Sequence, residues 1–259
     1  MRMDVRYLSE AEIEHRAAYL LADFNVRRCL RLNAPIPVEA LLESHLKLSL
    51  DFDDLHARLG VPKSRNEPEM LGALWADSRE VFIDQSLDPV EHPEMEARYR
   101  FTVAHEIGHW QLHREYLTQS STGLFGNTSQ GPTVICRASQ AKERIEWQAD
   151  HFAASLLMPR NLLHHFWREE FSRTTPLVFA NFQNSDWAKP PMGWTGSLRL
   201  DPPLRDCFDA RAVSYFFYRA SARIAPIFNV SIQAAQTRLQ NVGLLYVDMP
   251  RQRSIGLPR

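Results

Sequence analysis

Two histidines spaced four residues apart constrain this chain more than any other feature of its sequence. His105 and His109 stand in the string His-Glu-Ile-Gly-His, and residues four apart on a helix lie one above the other on the same face. Both imidazoles can therefore reach one metal ion, and Glu106 between them is placed to accept a proton from a water beside that metal. The string also arises by chance, so the neighbouring residues decide how it is interpreted.

The residues around the string have a helical pattern. Residues 95–115 contain no proline, and an apolar stripe at three-to-four spacing runs through Phe101, Ala104, Gly108 and Leu112. A glycine inside a helix costs about 1 kcal/mol relative to alanine. Gly108 therefore either lets another segment or the metal approach closely, or is simply tolerated.

A second predicted helix carries residues that would complete the metal site. It covers residues 142–158 and ends before Pro159, and Glu146 and Asp150 lie four residues apart on it and share a face. Glu146 can supply the third ligand of a His2Glu site with water in the fourth position. Asp150 can accept a hydrogen bond from the other ring nitrogen of a ligand histidine.

Each of these residues also has an ordinary structural interpretation. The two histidines could be partly buried core residues, and Glu146 and Asp150 could be solvated carboxylates. His113 adds one more turn to the histidine ladder, but on a straight helix it lies roughly 12 Å from His105, too far to share a metal. Zincins with a third histidine place it after a glycine-made turn, which this sequence lacks. We interpret His113 as a supporting residue and not as a ligand.

Together the two motifs resemble those of the ImmA/IrrE family of metallopeptidases. The first reads Arg100-Phe-Thr-Val-Ala-His-Glu-Ile-Gly-His-Trp-Gln-Leu-His113, and the second reads Glu146-Trp-Gln-Ala-Asp-His-Phe-Ala-Ala-Ser-Leu-Leu-Met-Pro159. The resemblance extends over about residues 5–170. It implies an α+β fold: a zincin-like, gluzincin-type metallopeptidase domain with a small β-sheet and an HExxH helix.

The resemblance also implies roles for individual residues. His105, His109 and Glu146 would bind the metal, and Glu106 would be the catalytic residue of a zinc-dependent endopeptidase. Asp150 stands where the family often has Asn, a change that keeps an acceptor and adds a charge. Zn²⁺ is the expected metal, although Mn²⁺ or Fe²⁺ suits a His2Glu set nearly as well.

The expected substrate follows from the same resemblance. Family members cut a helix-turn-helix repressor and so switch on stress or mobile-element genes, which makes such a repressor the expected protein partner. Two other functions stay open: a transcription regulator that uses the peptidase fold as a sensor, and an anti-repressor or toxin–antitoxin protein that binds a repressor without cutting it. The intact string and Glu146 favour the enzyme.

Charge and cysteine content favour a reducing compartment. The net charge of −1 gives no general attraction to nucleic acid or to a membrane. Cys29, Cys136 and Cys207 are scattered, without a CxxC pair, which argues against a disulfide framework. The N-terminus has no apolar signal segment and no apolar stretch approaches 18 residues. We therefore expect a cytoplasmic protein.

The sequence predicts three regions. They are a metallopeptidase domain over residues 1–171, a connector rich in proline and aromatic residues over 172–209, and a helix-turn-helix-like module over 210–259. The second helix of that module is expected at residues 231–241, and its candidate donors to DNA are Gln233, Gln236, Arg238 and Gln240. Basic residues are too few for a strong DNA-binding surface. DNA binding is therefore the less favoured alternative to a packing or substrate-docking role.

A small sheet is expected ahead of the HExxH helix. Strands are predicted over residues 46–52, 71–76 and 80–84, and an edge strand of such a sheet can receive a substrate as an added strand. Residues 118–138, rich in Ser, Thr and Gly, lie between the two metal-binding helices. They are interpreted as a plain surface loop or as a mobile flap over the cleft.

Overall fold

The structure is a computed structural model that describes residues 5–29, 33–61, 69–121, 134–137, 144–196 and 209–248, with the backbone alone at 118–121 and 134–137. The chain divides into two compact units. One comprises Met1–Leu163 with Ile227–Ser231, and the other comprises His164–Pro226 with Ile232–Arg259. The sequence-based boundaries at residues 171 and 209 stay a prediction.

The first unit begins with a capped amphipathic helix, α1 (Glu10–Arg28). Ser9 accepts a hydrogen bond from the backbone N–H of Glu12, and the Glu12 carboxylate accepts one from the backbone N–H of Ser9. This capping box satisfies two donors that the first turn leaves unpaired. The buried face of α1 consists of Ile13, Ala17, Leu20, Leu21 and Phe24. The helix packs against the helix that carries the second motif.

A four-stranded mixed sheet follows in the order β1-β3-β2-β4. Its strands are β1 (Ser49–Asp53), β2 (Met70–Trp75), β3 (Glu80–Asp84) and β4 (Val134–Arg137). β1 pairs in parallel with β3, whereas β3 and β4 both run antiparallel to β2. A short helix, α2 (Leu55–Leu59), follows β1, and a π-helical segment, Ala40–His45, precedes β1. The α+β fold is confirmed.

The interpretation of residues 118–138 as a loop or flap is wrong at both ends of that stretch. The HExxH helix continues to Ser121, and residues 134–137 form β4. A four-residue strand is too short to show a clear alternation in sequence, and it forms because β2 supplies its hydrogen-bonding partners. Residues 122–133 and 138 lie outside the described residues, so the flap hypothesis stays untested there.

The two motifs lie on α3 (Glu96–Ser121) and α4 (Arg144–Leu157), which pack against each other. A Cβ atom on Gly108 would lie 3.1 Å from both the Cα and the carbonyl oxygen of Ala149. That separation is closer than an ordinary side-chain contact, so the missing side chain lets the α4 backbone approach α3. Of the roles considered for Gly108, close approach of another segment is the one that the structure supports.

The second unit contains most of α5 (Arg160–Phe171), most of α6 (Ala210–Phe228) and α7 (Ile232–Asn241). Two short strands, β5 (Leu177–Val178) and β6 (Leu245–Tyr246), pair in parallel. α7 lies close to the position predicted for the second helix of the C-terminal module, but a helix-turn-helix arrangement stays a prediction. No helix in the described ranges combines the length and apolar character needed to cross a membrane.

Gly108→Ala tests the close approach of α3 and α4. Helix propensity alone predicts a gain of about 1 kcal/mol in the free energy of unfolding. Overpacking against Ala149 costs about 1–3 kcal/mol, so we expect a net loss in urea unfolding. Glu115→Ala, at an exposed position of α3, is the control and should change stability by less than about 0.5 kcal/mol. A more stable Gly108→Ala variant would contradict the packing argument.

Candidate metal centre

α3 and α4 bring three of the predicted metal ligands to one point. The Nε2 atoms of His105 and His109 lie 2.8 Å apart. Glu146 places Oε2 3.2 Å from the Nε2 of His105 and Oε1 3.5 Å from the Nε2 of His109. All three side chains are buried. They form a group that can hold a metal ion.

The spacing within this group fits the first coordination shell of a divalent metal. Bonds of 2.0–2.2 Å from zinc to nitrogen or oxygen put neighbouring tetrahedral ligands about 3.3 Å apart. The observed separations of 2.8, 3.2 and 3.5 Å lie on both sides of that value. Two imidazole nitrogens and one carboxylate leave a fourth position for water or substrate. The residues present therefore fit a metal.

Asp150 determines which nitrogen of His105 faces the group. Its Oδ1 lies 2.8 Å from the Nδ1 of His105. An ionised carboxylate only accepts hydrogen bonds, so His105 donates from Nδ1. The Nε2 of the neutral ring is then left with a lone pair directed towards His109 and Glu146. That is the protonation state in which an imidazole binds a metal.

Glu106 is fully buried, and neither of its carboxylate oxygens has a hydrogen-bond partner among the described residues. Burial raises its pKa from 4.5 to about 8; the neighbouring His105 opposes this rise and the neighbouring Glu146 reinforces it. An unpaired buried carboxyl is costly. Such a cost is expected where the missing partner is a water or a substrate, and a pKa near neutrality suits a group that takes and returns a proton.

The sheet leaves room for this carboxyl at Gly72 in β2. A Cβ atom there would lie 2.7 Å from the Oε1 of Glu106 and 2.8 Å from the Cγ2 of Thr102. Both distances are too short for a real contact, so Glu106 occupies space that any other residue at position 72 would fill. Sequence reasoning missed Gly72, because only the folded chain shows that β2 lies against α3.

Electrostatics keep the ligand set in the form that a metal needs. Burial raises the pKa of Glu146, but its contacts with His105 and His109 outweigh burial and lower that pKa to about 2. Burial and the neighbouring His105 lower the pKa of His109, against the opposing effect of Glu146. At neutral pH the group therefore contains an ionised carboxylate and a neutral imidazole, as metal binding requires.

His113 is buried beside His109 and is not one of the three converging residues. Its Nδ1 lies 3.3 Å from the Nδ1 of His109, and its Nε2 lies 2.9 Å from the Oε1 of Gln148. Sequence reasoning missed Gln148. It follows Glu146 by two residues, a spacing that does not mark a shared helix face, so the sequence offered no signal for it.

The candidate DNA-contacting residues of α7 are only partly accessible. Gln236 and Arg238 are 0% and 1% exposed, and Gln233 and Gln240 are half-buried. Side chains packed inside a unit cannot reach base edges without its rearrangement. Two of the four expected donors are therefore committed to packing.

The pKa of Glu106 predicts how Glu106→Gln changes stability without metal. As pH rises from 4.5 to about 8, the unfolded chain ionises this carboxyl while the folded chain keeps its proton, so the native state loses stability. Glutamine removes that loss. In chelator, we expect equal free energies of unfolding near pH 4 and a variant more stable by on the order of 1–3 kcal/mol at pH 8. A constant difference across this pH range would contradict the raised pKa.

Gly72→Ala tests the space that holds Glu106. The added methyl group must displace the Glu106 carboxyl, whereas no atom of His105, His109 or Glu146 is among the three atoms nearest to that Cβ, all within 3.4 Å. We expect Gly72→Ala to retain metal, measured by elemental analysis, and to lose at least about 100-fold in hydrolytic rate, within the range typical of a displaced general base. Glu115→Ala, at an exposed position of α3, is the control and should keep both the metal and the hydrolytic rate. Full activity of Gly72→Ala would show that Glu106 tolerates displacement.

Comparison with known protein families gives one match, which covers both motifs. Residues 78–185 match the family model Peptidase_M78, described as the IrrE N-terminal-like domain. The match runs from the turn before β3 past α5 and includes His105, His109 and Glu146. No curated protein matches the chain. The resemblance drawn from the two motifs to the ImmA/IrrE metallopeptidase family is confirmed over residues 78–185, which match this family model.

Proposed function

We propose that this chain is a zinc-dependent endopeptidase that cuts a helix-turn-helix transcriptional repressor and so derepresses stress or mobile-element genes. The observation that carries the proposal is the convergence of two imidazole nitrogens and a carboxylate near a buried carboxyl without a partner among the described residues. The family domain supports a metal-dependent peptidase. The repressor as substrate rests on the resemblance to the family.

The proposed chemistry divides between the metal and one residue of the chain. A divalent metal held by His105, His109 and Glu146 would polarise the scissile carbonyl and lower the pKa of a water. Glu106 accepts a proton from that water as its oxygen attacks the carbonyl carbon. Glu106 then donates the proton to the amine nitrogen as the C–N bond breaks. Burial keeps bulk solvent away from this carboxyl.

The sheet suggests where a substrate segment would bind. Among the described strands, β1 and β4 are the outer strands, and an outer strand offers backbone groups to which an extended peptide can pair. β4 lies next to β2, and Cys136 of β4 pairs with Gly72, the residue that borders Glu106. We therefore propose that the substrate adds to β4, on the side of the sheet nearer to the candidate centre.

Glu106→Gln separates catalysis from metal binding. The amide cannot take a proton from water, so we expect cleavage to fall by about 10²–10⁴-fold while the metal content stays that of the wild type. The substrate for this assay is the helix-turn-helix repressor encoded nearest to this chain's gene, followed by mass spectrometry of the fragments. Glu115→Gln makes the same change at an exposed position of α3 and should keep both properties. An active Glu106→Gln enzyme would refute the role of Glu106.

Glu146→Ala tests the metal site itself. Removal of one of three ligands should lower the metal content from near one equivalent to a small fraction, and cleavage should disappear with it. Elemental analysis of purified protein after reconstitution with Zn²⁺ measures the first effect. Metal bound by the wild type without any cutting would favour a protein that captures the repressor. A wild-type protein that binds no metal would contradict the proposal.

A further inference from the structure

A buried chain of hydrogen bonds leads away from the candidate metal centre. The Nε2 of Gln148 donates to the backbone carbonyl of Arg6 at 3.0 Å. The Oε1 of Gln148 lies 2.9 Å from the Nε2 of His113, and the Nδ1 of His113 lies 3.3 Å from the Nδ1 of His109. The side chains of His109, His113 and Gln148 are all 0% exposed. We refer to these contacts as the Gln148–His113 chain.

The direction of each hydrogen bond follows from the first. A backbone carbonyl only accepts, so the amide nitrogen of Gln148 must face Arg6 and its oxygen must face His113. That oxygen also only accepts, so His113 donates from Nε2. His113 is 0% exposed, and among the described residues its hydrogen-bond contacts are the Gln148 amide and the His109 ring, neither of which is a carboxylate. A charged ring would be buried there without a counter-ion in contact, so His113 is neutral and has one N–H. Its Nδ1 therefore carries a lone pair.

The last bond determines the tautomer of His109. Because the Nδ1 of His113 can only accept, His109 donates from Nδ1 and keeps a lone pair on Nε2. His105 already presents a lone pair from its Nε2, since its Nδ1 donates to Asp150. The Nε2 atoms of both rings and the carboxylate of Glu146 thus meet at 2.8–3.5 Å as acceptors. Such contacts are repulsive unless a cation lies among them.

We propose that Gln148 and His113 are positioning residues that hold His109 in the tautomer protonated at Nδ1. The backbone carbonyl of Arg6 orients the Gln148–His113 chain by accepting the hydrogen bond of the Gln148 amide. The inference rests on the metal-binding role proposed above for His109. It adds a residue, Gln148, and a backbone group that neither the motif spacing nor the family match assigns.

Charge explains why the two ligand histidines have different partners. His105 is oriented by the carboxylate of Asp150, whereas His109 is oriented by a neutral imidazole. A divalent metal with Glu146 and Asp150 makes a site without net charge, and a second orienting carboxylate would add an unbalanced buried charge. The Gln148–His113 chain is uncharged and ends on a backbone carbonyl, so it orients His109 without that cost.

The test compares Gln148→Leu with Ser155→Ala. Leucine removes the acceptor that directs His113, whereas Ser155→Ala removes a buried polar group elsewhere on α4 that has no partner among the described residues. Nitrogen NMR shifts of histidine in metal-free protein report which ring nitrogen carries the proton. Competition with a chelator gives the affinity for Zn²⁺. The tautomer is measured without metal, so the result tests this inference whether or not the proposed function is correct.

We expect the Nδ1 of His109 to carry a proton in the wild type and in Ser155→Ala. Gln148→Leu should show a mixture of tautomers and bind Zn²⁺ about 10- to 100-fold more weakly. Gln148→Glu, of the same size, is the second variant. It keeps an acceptor for His113 in either protonation state and should restore the proton on the Nδ1 of His109. A wild-type His109 without a proton on Nδ1, or Gln148→Leu with an unchanged tautomer, would overturn the proposal.

Discussion

The candidate centre depends on the close approach of α4 to α3 at Gly108. Gly108 lies between His105 and His109 in sequence, and Ala149, which it meets, lies one turn after Glu146. The separation of two packed helices follows the size of the side chains between them, in the range of 8–10 Å. A side chain at position 108 would push apart the two helices that supply the ligands. The geometry of the metal site is therefore a consequence of helix packing at one residue.

Once the helices are this close, hydrogen bonding decides what the site can bind. Each ligand histidine uses Nδ1 to donate to a neighbour outside the ligand group, Asp150 for His105 and His113 for His109. The nitrogens that remain face Glu146 with no proton to share, which makes the point between them attractive to a cation. Glu106, without a partner among the described residues, is kept out of this ligand group. Binding and proton transfer thus fall to different carboxyl groups.

The sequence predicts what helix periodicity determines and misses what tertiary contact determines. His105, His109, Glu146 and Asp150 could be paired in advance because a spacing of four residues fixes a shared face whatever the rest of the chain does. β4, paired with β2, carried no comparable signal in a four-residue segment. Gln148 and the carbonyl of Arg6 lie 142 residues apart in sequence. A contact at that separation exists only after α4 has packed.

The roles of Gly72 and Gly108 also depend on tertiary contacts that the sequence does not reveal. Neither is among the described glycines with positive φ, so neither is there for backbone freedom. In sequence, each only weakens its strand or helix. In the structure, Gly108 makes room for the backbone of Ala149 and Gly72 makes room for the carboxyl of Glu106. The absence of a side chain at position 108 brings the metal ligands together. The absence of a side chain at position 72 leaves space for the carboxyl that would accept the proton.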